Sequence, residues 1–213
     1  MAEQFKLLWY DWNGANVSLF HLINGINGPI HDSLMLCGTI ISSNRNFAGY
    51  MAMIALCALW QIHRSAQSSC GIVEKMSLRW IGTVGVFCVA FVIDSVIVLW
   101  IKTILAFPRP PLALPLNSMR ILGNAEYTLS FPSGHASFAA VLVVSLWTRL
   151  NWGWRVCGII FLLWVALSRI SVGAHFPVDV VGGYVIAIPI VIAVRLAVDW
   201  YLTAATNLAK ERV

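Results

Sequence analysis

Charge is scarce in this chain. Nine acidic and fourteen basic side chains are spread over 213 residues, 11% charged against 59% hydrophobic. The basic excess leaves a net charge of +5, yet no run of Lys and Arg and no basic-aromatic face accompanies it, so nucleic acid is excluded as a partner. Cysteine offers no framework. Cys37, Cys57, Cys70, Cys88 and Cys157 are odd in number, lack metal-ligand spacing and sit mostly in apolar stretches, which implies neither disulfides nor a zinc site. Internal repeats and low-complexity segments are absent too. The opening "MAEQFKLLWYDWNGAN" has no uninterrupted apolar core before a small-residue cleavage site, so it is not read as a signal peptide, and the first true span is expected to direct insertion.

What the chain does have is apolar length. A mean hydropathy of +0.79 is not that of a soluble domain, and several stretches approach the roughly 17 to 25 residues a helix needs to cross a bilayer. The expectation is an all-α, polytopic transmembrane helix bundle, a single membrane domain over 1–213, with spans near 46–62, 80–104, 134–149, 154–172 and 176–198. Residues 14–43 are broken by Asn24, Gly25, Asn27, Gly28, Pro29, His31 and Asp32, which predicts two short helices at the membrane surface. The segment 1–45 is therefore read as interfacial, and the total as five spans, or six if 14–43 crosses. A polar loop is expected at 63–79, another at about 108–132 after the prolines Pro108, Pro110, Pro111 and Pro115, and a short charged tail after the last span. Gly82, Gly85, Gly182 and Gly183 suit close helix packing. Trp9, Trp12, Trp80, Trp100, Trp152, Trp154 and Trp200 lie near span ends, as an aromatic belt requires.

Lys and Arg set the orientation. One face collects Arg64, Lys75, Arg79, Arg149, Arg155, Arg195, Lys210 and Arg212, against Lys6, Arg45, Lys102, Arg109, Arg120 and Arg169 on the other. The positive-inside rule makes the first set cytoplasmic. The margin widens once Lys102, Arg109 and Arg169 are recognised as ligand-binding charges rather than topology markers. The chain is thus placed in the cell (inner) membrane with its chemistry facing the periplasm or exterior.

That chemistry rests on three segments whose span ends share the outer face: "KTILAFPRP" at 102–110, "PSGH" at 132–135 and "SRISVGAHFPVD" at 168–179. Lys102, Arg109 and Arg169, with Ser133 and the Gly134 amide at a helix N-terminus, form a receptor for a multiply charged anion. A tetrahedral phosphate fits it, since Arg can fork two oxygens and Lys supplies a point charge. His135 and His175 suggest divided labour, one attacking phosphorus and the other protonating the departing oxygen. Asp179, four residues after His175 with Pro177 between them at a helix start, can accept from one imidazole nitrogen and leave the other free to attack.

The three segments, K-x6-R-P, P-S-G-H and S-R-x5-H-x3-D, resemble the signature of the type 2 phosphatidic acid phosphatase superfamily, which includes vanadium haloperoxidases and bacterial class A acid phosphatases. Every signature position is filled, and the resemblance covers about 80–198, the expected catalytic core. It implies dephosphorylation without metal or other cofactor through a phosphohistidine. In that scheme His175 is the nucleophile, Asp179 its orienter and His135 the general acid, with Lys102, Arg109, Ser133, Gly134 and Arg169 holding the phosphoryl group. The substrate would be a membrane lipid phosphate or polyprenyl diphosphate, undecaprenyl diphosphate being favoured, met in the phospholipid bilayer; oligomeric state is left open. Phosphatidylglycerophosphate, phosphatidic acid and lipid A phosphate are alternatives, as is a transferase using the same intermediate.

Each element has a plainer reading. P-S-G-H is also a capped helix start, single cations at span ends commonly snorkel, and a His-Asp pair can be structural. Three ordered motifs together outweigh these readings. A non-catalytic lipid-binding or transport protein would need the cations but not an acid and a nucleophile, and a haloperoxidase would not need five spans. Asp94, mid-span, is read as a packing or hydrogen-bonding residue, Glu126 and Tyr127 as a solvated loop, and His21, His31 and His63 as interfacial.

Overall fold

The computed structural model describes residues 10–66 and 70–211, the side chains of 66, 70–75 and 205–211 excepted. The signal-peptide reading, Lys6, Trp9 and Arg212 lie outside the described residues, as do the side chains of Cys70, Lys75 and Lys210. Among the described residues every regular element is helical: α1 (Ala15–Asn24), α2 (Pro29–Ile41), α3 (Phe47–Ala66), α4 (Cys70–Leu105), α5 (Gly134–Leu146), α6 (Trp152–Ser171) and α7 (Pro177–Glu211), with short helical turns between them.

The expected spans correspond to α3 through α7. Among the described residues, three stretches are long and apolar enough to cross a membrane, Met76–Ala113, Trp152–Ser171 and Pro177–Ala204. α3 carries Gln61, His63 and Arg64 at its end, and α5 has only 13 residues, about 20 Å of rise. Two boundaries differ from the sequence reading. The polar loop at 63–79 shrinks, because α3 runs to Ala66 and α4 begins at Cys70, and the charged tail is helical as far as Glu211. Polar side chains mark where a helix leaves the hydrocarbon, not where it ends, since its backbone hydrogen bonds are satisfied internally in either solvent.

α5 is the hub. Its "GHASFAAVLVVSL" is small or apolar on all sides, and a helix with no polar face belongs inside a bundle. Nine of its thirteen residues are buried, between α4 and α7 with α6 alongside. Gly183 makes the closest approach possible: a Cβ there would stand 2.6 Å from the Ser133 carbonyl oxygen. Lipid tails are as apolar as these side chains, so dense contact rather than water exclusion holds the spans together. Phe47 of α3 stacks on Phe91 of α4, ring centroids 4.1 Å apart, and Phe91 meets Phe138 of α5 edge-on at 5.6 Å. Trp80 departs from the aromatic belt and is a core residue, whereas Trp100, Trp152, Trp154 and Trp200 are exposed.

The interfacial expectation for 14–43 meets two short helices, α1 and α2, both packed on α6. Asn24 ties them to the bundle: its side-chain amide donates to the carbonyls of Arg120 and Ser171, each at 2.9 Å, and its Oδ1 accepts from the Arg120 amide at 2.8 Å. Asn16 Oδ1 accepts from the Val178 amide at 3.0 Å. Both asparagines are buried, so each satisfies backbone groups that would otherwise lie unpaired.

Candidate active site

Four helix ends meet on one side of the bundle: the end of α4, the start of α5, the end of α6 and the start of α7. Each end is built locally. Proline after Leu105 stops α4. Ser133 caps α5, its Oγ accepting from the Ala136 amide at 3.5 Å. After α6 the chain turns back on Gly173 at φ +80°, where a Cβ would press within 2.5 Å of the Arg120 carbonyl oxygen. Pro177 opens α7 with its ring in the first turn, and Asp179 reaches back to accept from the Phe176 amide at 2.8 Å.

Asp179 and His175 are almost wholly buried. His175 Nδ1 lies 3.4 Å from Asp179 Oδ2, and its Nε2 lies 3.0 Å from Arg109 Nη1. A guanidinium has only donors, so Nε2 accepts and carries a lone pair, which leaves the proton on Nδ1 facing the carboxylate. Burial first, then the positive charges of Arg109, Arg169 and Lys102, hold the His175 imidazole well below its ordinary pKa. It is therefore neutral at neutral pH, with its Nε2 electron pair directed at the Arg109 guanidinium.

The three cations are themselves fixed. Arg109 Nε donates to the Thr128 carbonyl at 2.8 Å and Nη1 to the Ala174 carbonyl at 3.1 Å. Lys102 Nζ donates to the Leu129 and Ser130 carbonyls at 2.5 and 3.4 Å. Arg169 is buried, with Nη1 on Thr39 Oγ1 at 3.3 Å and, among the described residues, no hydrogen-bond partner for Nε. His135, at the first turn of α5, lines with Arg169 a cavity of about 700 Å³ whose far wall is α2 and the turn after it. The Ser133 amide donates to the Asp179 carbonyl at 2.8 Å, and Gly134 begins α5. All eight residues singled out in the sequence thus converge on one region.

Four further groups join them that the sequence reading did not assign. Glu126 lies in a loop with its side chain half exposed, as expected, yet its carboxylate is 2.8 Å from Arg109 Nη2 and 3.5 Å from Arg169 Nη2, bridging two motif cations. Tyr10 Oη and Ser130 Oγ donate to the two oxygens of Asp179, at 3.0 and 2.5 Å. Arg45 lines the cavity. Ser130 stands three residues before Ser133 and could have been suspected from that proximity. Tyr10, Arg45 and Glu126 carry no such sequence signal. Asp94 fits its reading as a hydrogen-bonding residue, accepting from Ser137 Oγ at 2.6 Å between α4 and α5.

Beside this cavity, which His135, Arg169 and Arg45 line, stand the fixed cations Lys102 and Arg109, a helix N-terminus and the buried neutral imidazole of His175, whose Nε2 lone pair faces Arg109. That combination can bind a phosphoryl group and exchange its substituents. Comparison with known proteins agrees. The family model described as PAP2 superfamily matches residues 83–202. "Undecaprenyl-diphosphatase BcrC" of Bacillus subtilis is 29% identical over 81% of this chain and 79% of its own length. "Undecaprenyl-diphosphatase" of Sulfolobus acidocaldarius is 34% identical over 87% of this chain and 80% of its own. Among solved structures, LpxE of Aquifex aeolicus superposes with a TM-score of 0.68 at 22% identity, covering 84% of this chain and 94% of that one, a likeness of fold.

Proposed function

The chain belongs to the PAP2 superfamily and is a membrane phosphatase; from that premise we propose that it removes the terminal phosphate of a polyprenyl diphosphate, undecaprenyl diphosphate above others, through a phosphohistidine. The observation that carries the mechanism is the pair of contacts on His175, Asp179 on Nδ1 and Arg109 on Nε2. Nε2 attacks the terminal phosphorus. As the N–P bond forms, the P–O bond to the leaving group breaks, and His135 gives that oxygen its proton. Water then attacks the phosphohistidine with His135 as base, the N–P bond breaks and inorganic phosphate leaves. Lys102, Arg109 and Arg169, with Ser133 and the Gly134 amide at the head of α5, hold the phosphoryl oxygens as charge shifts among them. This is the work a metal does elsewhere.

The substrate class is supported by the two undecaprenyl-diphosphatase relatives and by Arg45, a further cation on the cavity wall, suited to a second phosphate. Headgroup depth explains the setting. A lipid diphosphate enters from the bilayer surface with its chain among the spans, and the positive-inside count directs this end of the bundle outward.

The test is phosphate release from purified enzyme in detergent with EDTA present, across undecaprenyl diphosphate, phosphatidylglycerophosphate, phosphatidic acid and lipid A 1-phosphate. Turnover should survive chelation and rank the diphosphate first. Quenched enzyme should carry base-stable, acid-labile label from a terminally labelled substrate, and His175→Ala should carry none. Activity restored only by a divalent ion would overturn the mechanism, and a monophosphate ranked first would overturn the substrate.

A further inference from the structure

The end of the bundle remote from the histidines holds a second polar cavity, of about 470 Å³, between the early turns of α4, the turn after α5 and the last turns of α7. From Arg79 to Lys102, and from Asp179 to Arg195, the helices rise about 35 and 24 Å, so the two sites lie at opposite ends. Arg79, Arg149 and Arg195 line this cavity with one carboxylate, Asp199. Among the described residues, none of these four forms an ion pair. The guanidiniums are positioned by other groups: Arg149 lies over the Trp80 ring, 5.7 Å from its centroid, and Arg195 donates to the Ser145 carbonyl. Among the described residues, the buried Arg149 Nε finds no hydrogen-bond partner. Arg79 and Arg195 lie close enough to Arg149 to repel its guanidinium, a repulsion that a bound anion would relieve.

A second feature adjoins it. A groove of about 580 Å³ runs between α4 and α7, with Gly85, Val89 and Ile93 on one wall and Ala193 and Ala197 on the other. Gly82 and Leu202 belong to both the groove and the arginine cavity. Gly85 does not serve close helix packing as the sequence suggests; a Cβ there would meet no atom within 4 Å. Gly82 to Ile93 rises about 16 Å, close to the roughly 15 Å of hydrocarbon in one leaflet.

We propose that this end of the bundle binds an anionic phospholipid of the leaflet opposite the active site. Its phosphate sits among Arg79, Arg149 and Arg195, and one acyl chain lies in the α4–α7 groove. A cluster of basic side chains at the membrane surface attracts anionic headgroups, but topology arginines require neither a joined apolar slot nor a guanidinium seated on a buried indole. The shape also distinguishes this ligand from the substrate, which needs the histidines.

The experiment uses the full chain, delipidated in neutral detergent, with dioleoyl phosphatidylglycerol, dioleoyl phosphatidylcholine or inorganic phosphate added. Retained lipid is counted by native mass spectrometry and Tm is followed. Phosphatidylglycerol should be retained and raise Tm, and phosphatidylcholine should not. Arg149→Gln should weaken retention about fivefold and Arg149→Gln with Arg195→Gln at least about tenfold. Gly85→Leu keeps every cation, replaces glycine by a better helix former and fills the groove, so it should also release the lipid. Arg169→Gln, at the other end, should retain it. Equal retention of both lipids would overturn the proposal, as would unchanged retention in Gly85→Leu or loss in Arg169→Gln alone. Inorganic phosphate matching phosphatidylglycerol in Tm, with the same dependence on Arg149, would assign the arginines to a soluble anion instead.

Discussion

The hydroxyl of Tyr10 donates to Asp179 Oδ1 at 3.0 Å, joining two residues 169 positions apart. The ring of Tyr10 packs on Phe107 with centroids 4.4 Å apart and meets Phe131 and Phe176 edge-on. Tyr10→Phe keeps that packing and removes the donor. A hydrogen bond to a charged group contributes about 1.5 to 3 kcal/mol. If Tyr10 positions the carboxylate that orients His175, kcat should fall about tenfold or more with KM unchanged, and Ser130→Ala should do the same at Oδ2. A change confined to KM would leave Tyr10 a packing residue.

With His135 as proton donor, its loss should depend on the leaving group. His135→Ala removes on the order of 10² to 10⁴ in rate when the departing oxygen needs a proton. The deficit should be largest on a lipid monophosphate, intermediate on a lipid diphosphate and smallest on a p-nitrophenyl ester. His175→Ala should be inactive on all three. Leaving-group rescue in His175→Ala, with His135→Ala uniformly dead, would exchange the two roles.

Glu126 occupies positions on Arg109 and Arg169 that a phosphoryl oxygen would contest. Its side chain is half exposed, and such pairs contribute about 0.2 to 1 kcal/mol each. Glu126→Gln should accordingly tighten vanadate inhibition by about two- to fivefold. Weaker inhibition would mean that Glu126 holds the two guanidiniums in place instead of competing for them.

The lowered pKa of His175 gives a pH signature. A group whose folded value lies below its ordinary value of about 6.5 takes up its proton only at a lower pH, so it stays neutral and competent as pH falls through that value. Histidine ¹⁵N spectra should show one imidazole, absent from His175→Ala, that does not titrate between about pH 7.5 and 5.5. A transition near 6.5 would contradict the buried, cation-flanked setting.

Much of the molecule was legible because bilayer and phosphate are demanding solvents and ligands. Apolar stretches identified α4, α6 and α7, since a membrane admits few alternatives to a helix, and the prolines after Leu105 stopped α4 where expected. The spacing of Lys102, Arg109, Ser133, Gly134, His135, Arg169, His175 and Asp179 within short segments suggested a common site, and these residues do converge on one region, where local turns dictate the geometry. Helix ends at Ala66, Cys70 and Glu211 were not legible, because polarity reports the edge of the hydrocarbon and not the end of the backbone ladder.

What tertiary structure alone decided are contacts between groups distant in sequence. Nothing in "EYTLS" says that Glu126 lies against Arg109 and Arg169, and nothing around Tyr10 or Asn16 says that they secure Asp179 and Val178 at the head of α7. Nor does a glycine such as Gly85 reveal whether it admits a neighbouring helix or leaves a groove open. Local sequence determines which helix a side chain stands on and at what phase. Which side chain meets it across the bundle depends on how all the helices pack at once, and close packing settles that only when the whole chain is folded.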